Sequence, residues 1–160
     1  MLLIVILLVA PVCAVQTGYT DVPENEWYEE AIRTVTERGW MDGTGSGKFG
    51  PNDGLTRAML ATIIWRMENC PAAAATGNFT DTVRGSWYDG GVSWCVEKGL
   101  FQGFPDGSFR LNDAITREQL TLVFYRYADA KPTETAAKVS VKNGCSWAAD
   151  ACAWANAEGL

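Results

Sequence analysis

Between residues 27 and 37 the apolar side chains fall at Trp27, Tyr28, Ala31, Ile32 and Val35, with Glu29, Glu30, Arg33 and Glu37 between them. Spacings of three and four predict an amphipathic helix with a charged outer face. The stretches 59–67 and 120–127 read differently, because they are apolar on nearly every side. A helix that is greasy all round has to be enclosed. The pattern therefore predicts outer arms built from the first kind of helix and an inside built from the second kind, which begins at Thr56 and at Thr116. Gly43-Thr44-Gly45-Ser46-Gly47 and Gly103-Phe104-Pro105-Asp106-Gly107 lie between the two kinds as glycine-rich turns. Gly39, Gly99 and Gly159 stand where a left-handed residue closes each first helix. Ser86 and Ser146, directly before Trp87 and Trp147, are the predicted N-caps. Residues 72–76 and 131–138 are small or polar and read as linkers.

These elements repeat. A shift of 60 residues lays Tyr19-Thr20-Asp21 on Phe79-Thr80-Asp81, Trp27-Tyr28 on Trp87-Tyr88, Phe49 on Phe109, and Thr56-Arg57 on Thr116-Arg117. The same shift carries Trp87 onto Trp147 and Gly99 onto Gly159. The chain holds two full copies, 19–70 and 79–130, and the first part of a third, 139–160. A unit of this length cannot bury its apolar face alone and has to stack on its copies. The expected fold is all-α: repeated helix–loop–helix units, the third incomplete. Phe49 and Phe109 are expected to plug each loop onto the core. The tryptophans that open the first helices are expected as core anchors more than as sugar platforms.

Composition narrows the function. Net charge is −6, with no basic run among the 160 residues, so the cationic footprint that nucleic acid requires is missing. Histidine is absent, which removes imidazole metal sites and histidine acid–base catalysis. The oxygen-rich loops lack the ligand spacing of a calcium hand, so neither metal nor cofactor is expected. Residues 1–14 read as a secretory signal: an apolar run ends in the small residues Cys13-Ala14, although no Lys or Arg follows Met1. Such a chain is exported and leaves no membrane segment after processing. Cys95 and Cys152 occupy apolar slots of the repeat and read as small buried hydrophobes, while the spacing leaves a local Cys145–Cys152 bridge open.

The candidate chemistry sits at the starts of the second helices. Thr116-Arg117-Glu118-Gln119 is a capping box; Thr56-Arg57-Ala58-Met59 keeps only the cap. Arg57 and Arg117 occupy the first helical position, where the macrodipole makes a cation unfavourable by roughly a few tenths of a kcal/mol. Unpaired backbone amides and a guanidinium fork at that place would make a carboxylate or phosphate site. The alternative is pairing with Asp21, Asp53, Asp81 or Asp113, and both hold if an aspartate orients the fork. Phe104, at a loop tip, is the aromatic expected to be exposed for stacking. The aspartates recur at equivalent sites, which suits a scaffold better than one asymmetric acid–base pair, so no enzyme is expected.

Taken together, these motifs resemble the S-layer homology family of bacterial surface proteins. The likeness rests on Tyr19-Thr20-Asp21-Val22, Trp27, Gly39, Gly43, Phe49-Gly50-Pro51 and Thr56-Arg57-Ala58 in copy one. Copy two matches at Phe79-Thr80-Asp81, Trp87, Gly99, Gly103, Pro105-Asp106-Gly107-Ser108-Phe109 and Thr116-Arg117-Glu118. It implies a pseudo-threefold helical bundle whose inter-repeat grooves hold secondary cell-wall polysaccharide, often pyruvylated, with the Thr-Arg arginine as a chief ligand. The candidate glycan-binding residues are then Arg57, Arg117, Thr56, Thr116, Asp21, Asp81, Gly43, Gly103 and Phe104. The implied location is the bacterial cell wall or surface layer, and the alternative role is a self-associating structural module. Met59 and Gln119 depart from the family's glutamate, and copy three has Val139-Ser140-Val141 in place of the aromatic and aspartate. At most one well-formed groove is expected, between copies one and two, together with an uncovered apolar surface where a third inner helix would lie.

Overall fold

The structure is a computed structural model that describes residues 18–74, 78–129 and 146–160. The signal reading of 1–14, part of the first linker, the whole of the second and Cys145 lie outside the described residues. The fold is all-α and built from repeated units: α1 (Glu29–Glu37), α2 (Arg57–Met67), α3 (Asp89–Glu97), α4 (Arg117–Tyr127) and α5 (Ala149–Glu158), the last entered through a 3-10 turn, Ser146–Ala148. Among the described residues no helix is long and apolar enough to cross a membrane. The chain divides into two compact units, one ending at Pro51 and one spanning Asn52–Leu160.

In the first unit, α1 buries Ile32 and pins its outer face with Arg33 bridged to Glu30 and Glu37. Its Thr20 amide donates to the Gly47 carbonyl at 2.9 Å, closing the loop back onto the unit's start. Tyr19 meets the half-buried Phe49 edge-on at 5.4 Å.

In the second unit, α2 packs on α3 and α4 packs on α5. Ala58, Leu60, Ala61, Ile64, Val92, Cys95 and Phe109 form the centre of its core, with Phe109 fully buried. The α2–α3 approach is close enough to require glycine: a Cβ on Gly91 would sit 2.7 Å from the Thr62 Cα. Glycine inside a helix costs about 1 kcal/mol relative to alanine, and here the close crossing explains it. Burial pushes the Cys95 thiol up to about 12, and its S–H donates to the Ala61 carbonyl at 3.4 Å. Cys152 is a half-buried free thiol. The Tyr127 hydroxyl donates to Glu68, tying the end of α4 to the end of α2.

Several expectations change. The predicted division into outer first helices and inner second helices holds for α2 but not for α3 or α4. Helix α3 buries Gly91, Val92, Trp94 and Cys95, whereas α4 buries Val123 alone. One face of α4 meets α5, where Tyr125 touches Trp154 edge-on at 5.9 Å, and the rest of its apolar surface stays half-open. The serines are not side-chain caps; the N-caps of α3 and α5 are Tyr88 and Ala148, with no side-chain cap bond. A carboxylate reaches back instead: Glu29 accepts from the Asn25 amide at 2.7 Å and Asp89 from the Gly85 amide at 2.8 Å. Gly39, Gly99 and Gly159 do take the left-handed conformation predicted for them.

Candidate functional site

At the start of α2, Thr56 caps the helix by accepting from the Met59 amide at 3.2 Å. The next two amides are also engaged: Arg57 N–H donates to the Asp113 carbonyl at 3.0 Å and Ala58 N–H to the Leu111 carbonyl at 3.1 Å. The expectation of vacant amides for an anion is therefore overturned at α2, because a segment of copy two lies along the helix start. Ile115 N–H donating to the Leu55 carbonyl at 2.9 Å completes that seam. At α4 the Thr116–Gln119 capping box is complete in both directions. Glu118 stands in the first turn, its carboxyl held below its ordinary value by its own amide and then by the Thr116 hydroxyl. A protein acid already faces the positive end of α4.

The two arginines of the repeated motif lie in different surroundings. Arg117 is exposed. Arg57 is only 5% exposed, its Nε donating to the Phe109 carbonyl and its Nη2 to the Gln102 carbonyl, both at 2.9 Å. Phe101, Phe104 and Phe109 surround its guanidinium at 5.2, 4.9 and 4.8 Å to the ring centroids, a cation–π cage. Its hydrogen-bond acceptors are neutral carbonyls, so neither the open fork nor the aspartate pair describes it. Burial pulls its pKa down, the charges of Asp113 and Asp81 pull it up, and it ends below its ordinary value. A guanidinium stays charged throughout.

Asp21 and Asp81 hold the loops rather than the arginines. Asp21 accepts from the Phe49 and Gly50 amides, each at 2.8 Å, and these bonds, the Phe49 amide foremost, keep its carboxyl below the usual range. Asp81 accepts from Phe109 and Arg110 at 2.8 Å and Leu111 at 3.2 Å. Burial raises its pKa, but the three amides outweigh that and leave it lowered. Gly43 and Gly103 are equivalent in sequence but needed for different reasons. Gly43 has φ +76°, and a Cβ there would lie 2.4 Å from the Lys48 carbonyl; at Gly103 a Cβ would strike the Phe79 ring at 2.3 Å. Phe104 is half-buried rather than an open tip, with the Arg110 guanidinium 3.9 Å from its ring centroid. Arg110 itself takes φ +60°, in the place where copy one has Gly50 at φ +75°.

Arg57 lines a cavity of ≈270 Å³ together with Gln102, Gln119, Arg126 and Trp147. Arg126 is half-buried and donates through Nη1 to the Leu100 carbonyl at 3.1 Å. Arg57, residues between Leu100 and Arg126, and Trp147 thus line one cavity. Sequence reasoning overlooked Arg126, although a cation inside an otherwise apolar run is a signal in itself. It also cast the opening tryptophans as core anchors, yet Trp27, Trp87 and Trp147 are 88%, 59% and 51% exposed. The buried tryptophan is Trp94. A larger cavity, ≈390 Å³, is lined by Trp65, Phe79, Arg84 and Asp89 and contains neither Arg57 nor Arg126. Among the described residues no three Asp, Glu or Cys side chains converge to hold a metal ion.

A family model described as the S-layer homology domain matches residues 18–59 and 78–121. The chain is 33% identical over 113 residues to endo-1,4-beta-xylanase A of Thermoanaerobacterium saccharolyticum, covering 69% of this chain and 10% of that protein. It is 33% identical over 110 residues to an S-layer protein of Bacillus thuringiensis subsp. finitimus, covering 68% of this chain and 13% of that one. A cellulosome-anchoring protein of Acetivibrio thermocellus is 27% identical over 118 residues, covering 71% of this chain and 26% of the relative. The chain thus spans about a quarter or less of each of these relatives, and it meets the xylanase through the part that the family model describes. With residues 18–59 and 78–121, just over half of the chain, matched by the family model, the chain belongs to the S-layer homology domain family.

Proposed function

We propose that this chain anchors an exported bacterial protein non-covalently to the cell wall by binding an acidic, pyruvylated secondary wall polysaccharide, and that it performs no catalysis. Family membership and the S-layer relatives support a secreted, cell-surface chain. The observation that carries the glycan reading is the cavity beside Arg57. Its walls hold the guanidiniums of Arg57 and Arg126 and no carboxylate, and the hydrogen-bond acceptors of both are backbone carbonyls. A half-desolvated cation whose hydrogen bonds go to neutral carbonyls gains from a charge-assisted bond to an incoming anion. A pyruvate ketal supplies a small planar carboxylate on a sugar ring. Within the candidate set, Arg57 and Arg117 carry the charge, and Phe104 stacks against the Arg57 side. Thr56 and Thr116 fix the helix starts, and Asp81 and Gly103 the loop, that position them, while Asp21 and Gly43 hold the corresponding loop of the first unit.

Retention on purified wall sacculi tests this reading. Arg57→Lys, which keeps the charge but loses the fork, and Arg117→Ala are expected to weaken retention, while Arg66→Ala leaves it near wild type. Equal retention by all three overturns the arginine reading. The exposure of Trp87 and of Val83, 64% exposed, favours a second reading, self-association through that surface. A strictly monomeric chain in dilute solution overturns it.

A further inference from the structure

Resting on the second reading, self-association, we propose that two copies of this chain dock across the start of α3 by a two-fold exchange. Trp87 of each copy enters the ≈390 Å³ cavity of the other, and Arg84 of each faces Asp89 of the other. A hollow, a knob and two opposite charges lie together on the second unit.

The hollow is preformed. Trp65 and Phe79 give it aromatic walls, with Pro71 and Ala73 beside them. The Trp65 indole is pinned, because its Nε1 donates to the Pro71 carbonyl at 2.8 Å. Its ring lies so close to the Gly90 backbone that a Cβ there would come within 2.8 Å of it. Aromatic walls with charged groups beside them suit a flat ring that carries one polar edge. No residue of this hollow lines the Arg57 cavity.

The knob stands beside it. Trp87 is 59% exposed and is not part of the cavity wall in its own chain. The segment that carries it is braced: the Tyr88 hydroxyl accepts from the Val83 amide at 3.2 Å, and the Tyr88 ring meets the indole edge-on at 5.3 Å. A side chain already held in place loses little freedom on docking. Arg84 and Asp89, which bracket Trp87 in sequence, both line the hollow. A surface with knob and hollow side by side is self-complementary about a two-fold axis, and such a contact closes at a dimer.

Charge complementarity sets the register. Among the described residues Arg84 pairs with no carboxylate; its Nη2 reaches only the Asn78 Oδ1, at 3.5 Å. Asp89 accepts from the Gly85 amide through Oδ2, which leaves Oδ1 for the guanidinium of the other copy or for its indole N–H. The two-fold makes the Arg84–Asp89 crossing twice, and such pairs fix orientation more than they add affinity. The dimer presents two Arg57 cavities to a wall polymer, which raises retention through avidity.

Sedimentation velocity of the full 160-residue chain tests this, in reducing buffer because Cys70 is an exposed thiol. The wild type is expected to show a concentration-dependent monomer–dimer equilibrium. Trp87→Ala is expected to raise its dissociation constant at least about tenfold, whereas Trp27→Ala, at the 88% exposed tryptophan of the first unit, leaves it unchanged. Arg84→Glu and Asp89→Lys each place like charges at both crossings and are each expected to weaken the dimer about tenfold or more. An equimolar mixture of those two variants restores opposite charges at both crossings and is expected to regain the dimer. Circular dichroism checks each fold; if Asp89→Lys, which gives up the Gly85 bond, does not fold, Trp87→Ala and Arg84→Glu decide. A dimer unmoved by both of these overturns the inference and leaves self-association itself intact. A chain that stays monomeric throughout overturns both. Equal loss in Trp27→Ala and Trp87→Ala, or a mixture of folded variants that does not dimerise, overturns the two-fold exchange.

Discussion

Arg57 shows how one side chain combines structure with candidate chemistry. Its fork closes the 100–109 segment over α2 by gripping two carbonyls, and three phenylalanine rings fill the space around it. Removing it leaves two carbonyls without a donor and a gap beside Phe109. Arg57→Ala is accordingly expected to destabilise the second unit by about 2–4 kcal/mol. Arg117→Ala, at an exposed site, should stay within about 0.5 kcal/mol, and urea unfolding followed by circular dichroism measures both. Asp81 provides a pH-dependent counterpart. Its folded pKa is depressed, so its contribution is complete above the unfolded carboxylate value of about 3.9 and fades as pH falls through the lower folded value. Asp81→Asn should lower the thermal midpoint at pH 7 and lose that deficit progressively below about pH 4. A deficit that persists unchanged to pH 2 contradicts the role of charge. Thr-Arg and the loop aspartates were legible in the sequence because the repeat flagged them. Their partners were not, because a carbonyl acceptor leaves no mark on side-chain identity.

At the scale of elements, α2 and α3 are held by a contact that tolerates no added atom. A methyl on Gly91 meets the backbone of Thr62, whereas one on Gly90 meets the half-buried ring of Trp65 at 2.8 Å. Gly91→Ala should therefore destabilise by about 1–3 kcal/mol despite its gain in helix propensity. Gly90→Ala should do less, because a side chain shifts more easily than a backbone. Thermal melts of the two variants decide it, and equal effects contradict the close crossing. Helix positions, glycine C-caps and the Thr caps followed directly from periodicity and local chemistry. Which helices end up inside did not. Helix α4 is less apolar by composition than α2, and its burial also depends on which neighbour packs on it, which is a property of the assembly. The tryptophans misled for the same reason: a large apolar residue at a helix start reads as core, while Trp27 and Trp87 lie outward beside Tyr28 and Tyr88 at 5.3 Å.

For the whole molecule, the compact units do not follow the repeat. Helix α2 belongs to copy one by sequence and to the second unit by packing, so a copy excised at its sequence boundaries would lose the partner of its inner helix. The account rests on the Arg57 cavity reading an acidic wall polymer. Cosedimentation of the chain with wall sacculi before and after chemical extraction of the non-peptidoglycan polysaccharide tests this most directly. The account predicts that the chain pellets with intact sacculi, is released by added pyruvylated polymer, and stays in solution with the stripped peptidoglycan. Equal pelleting with intact and stripped sacculi would contradict it.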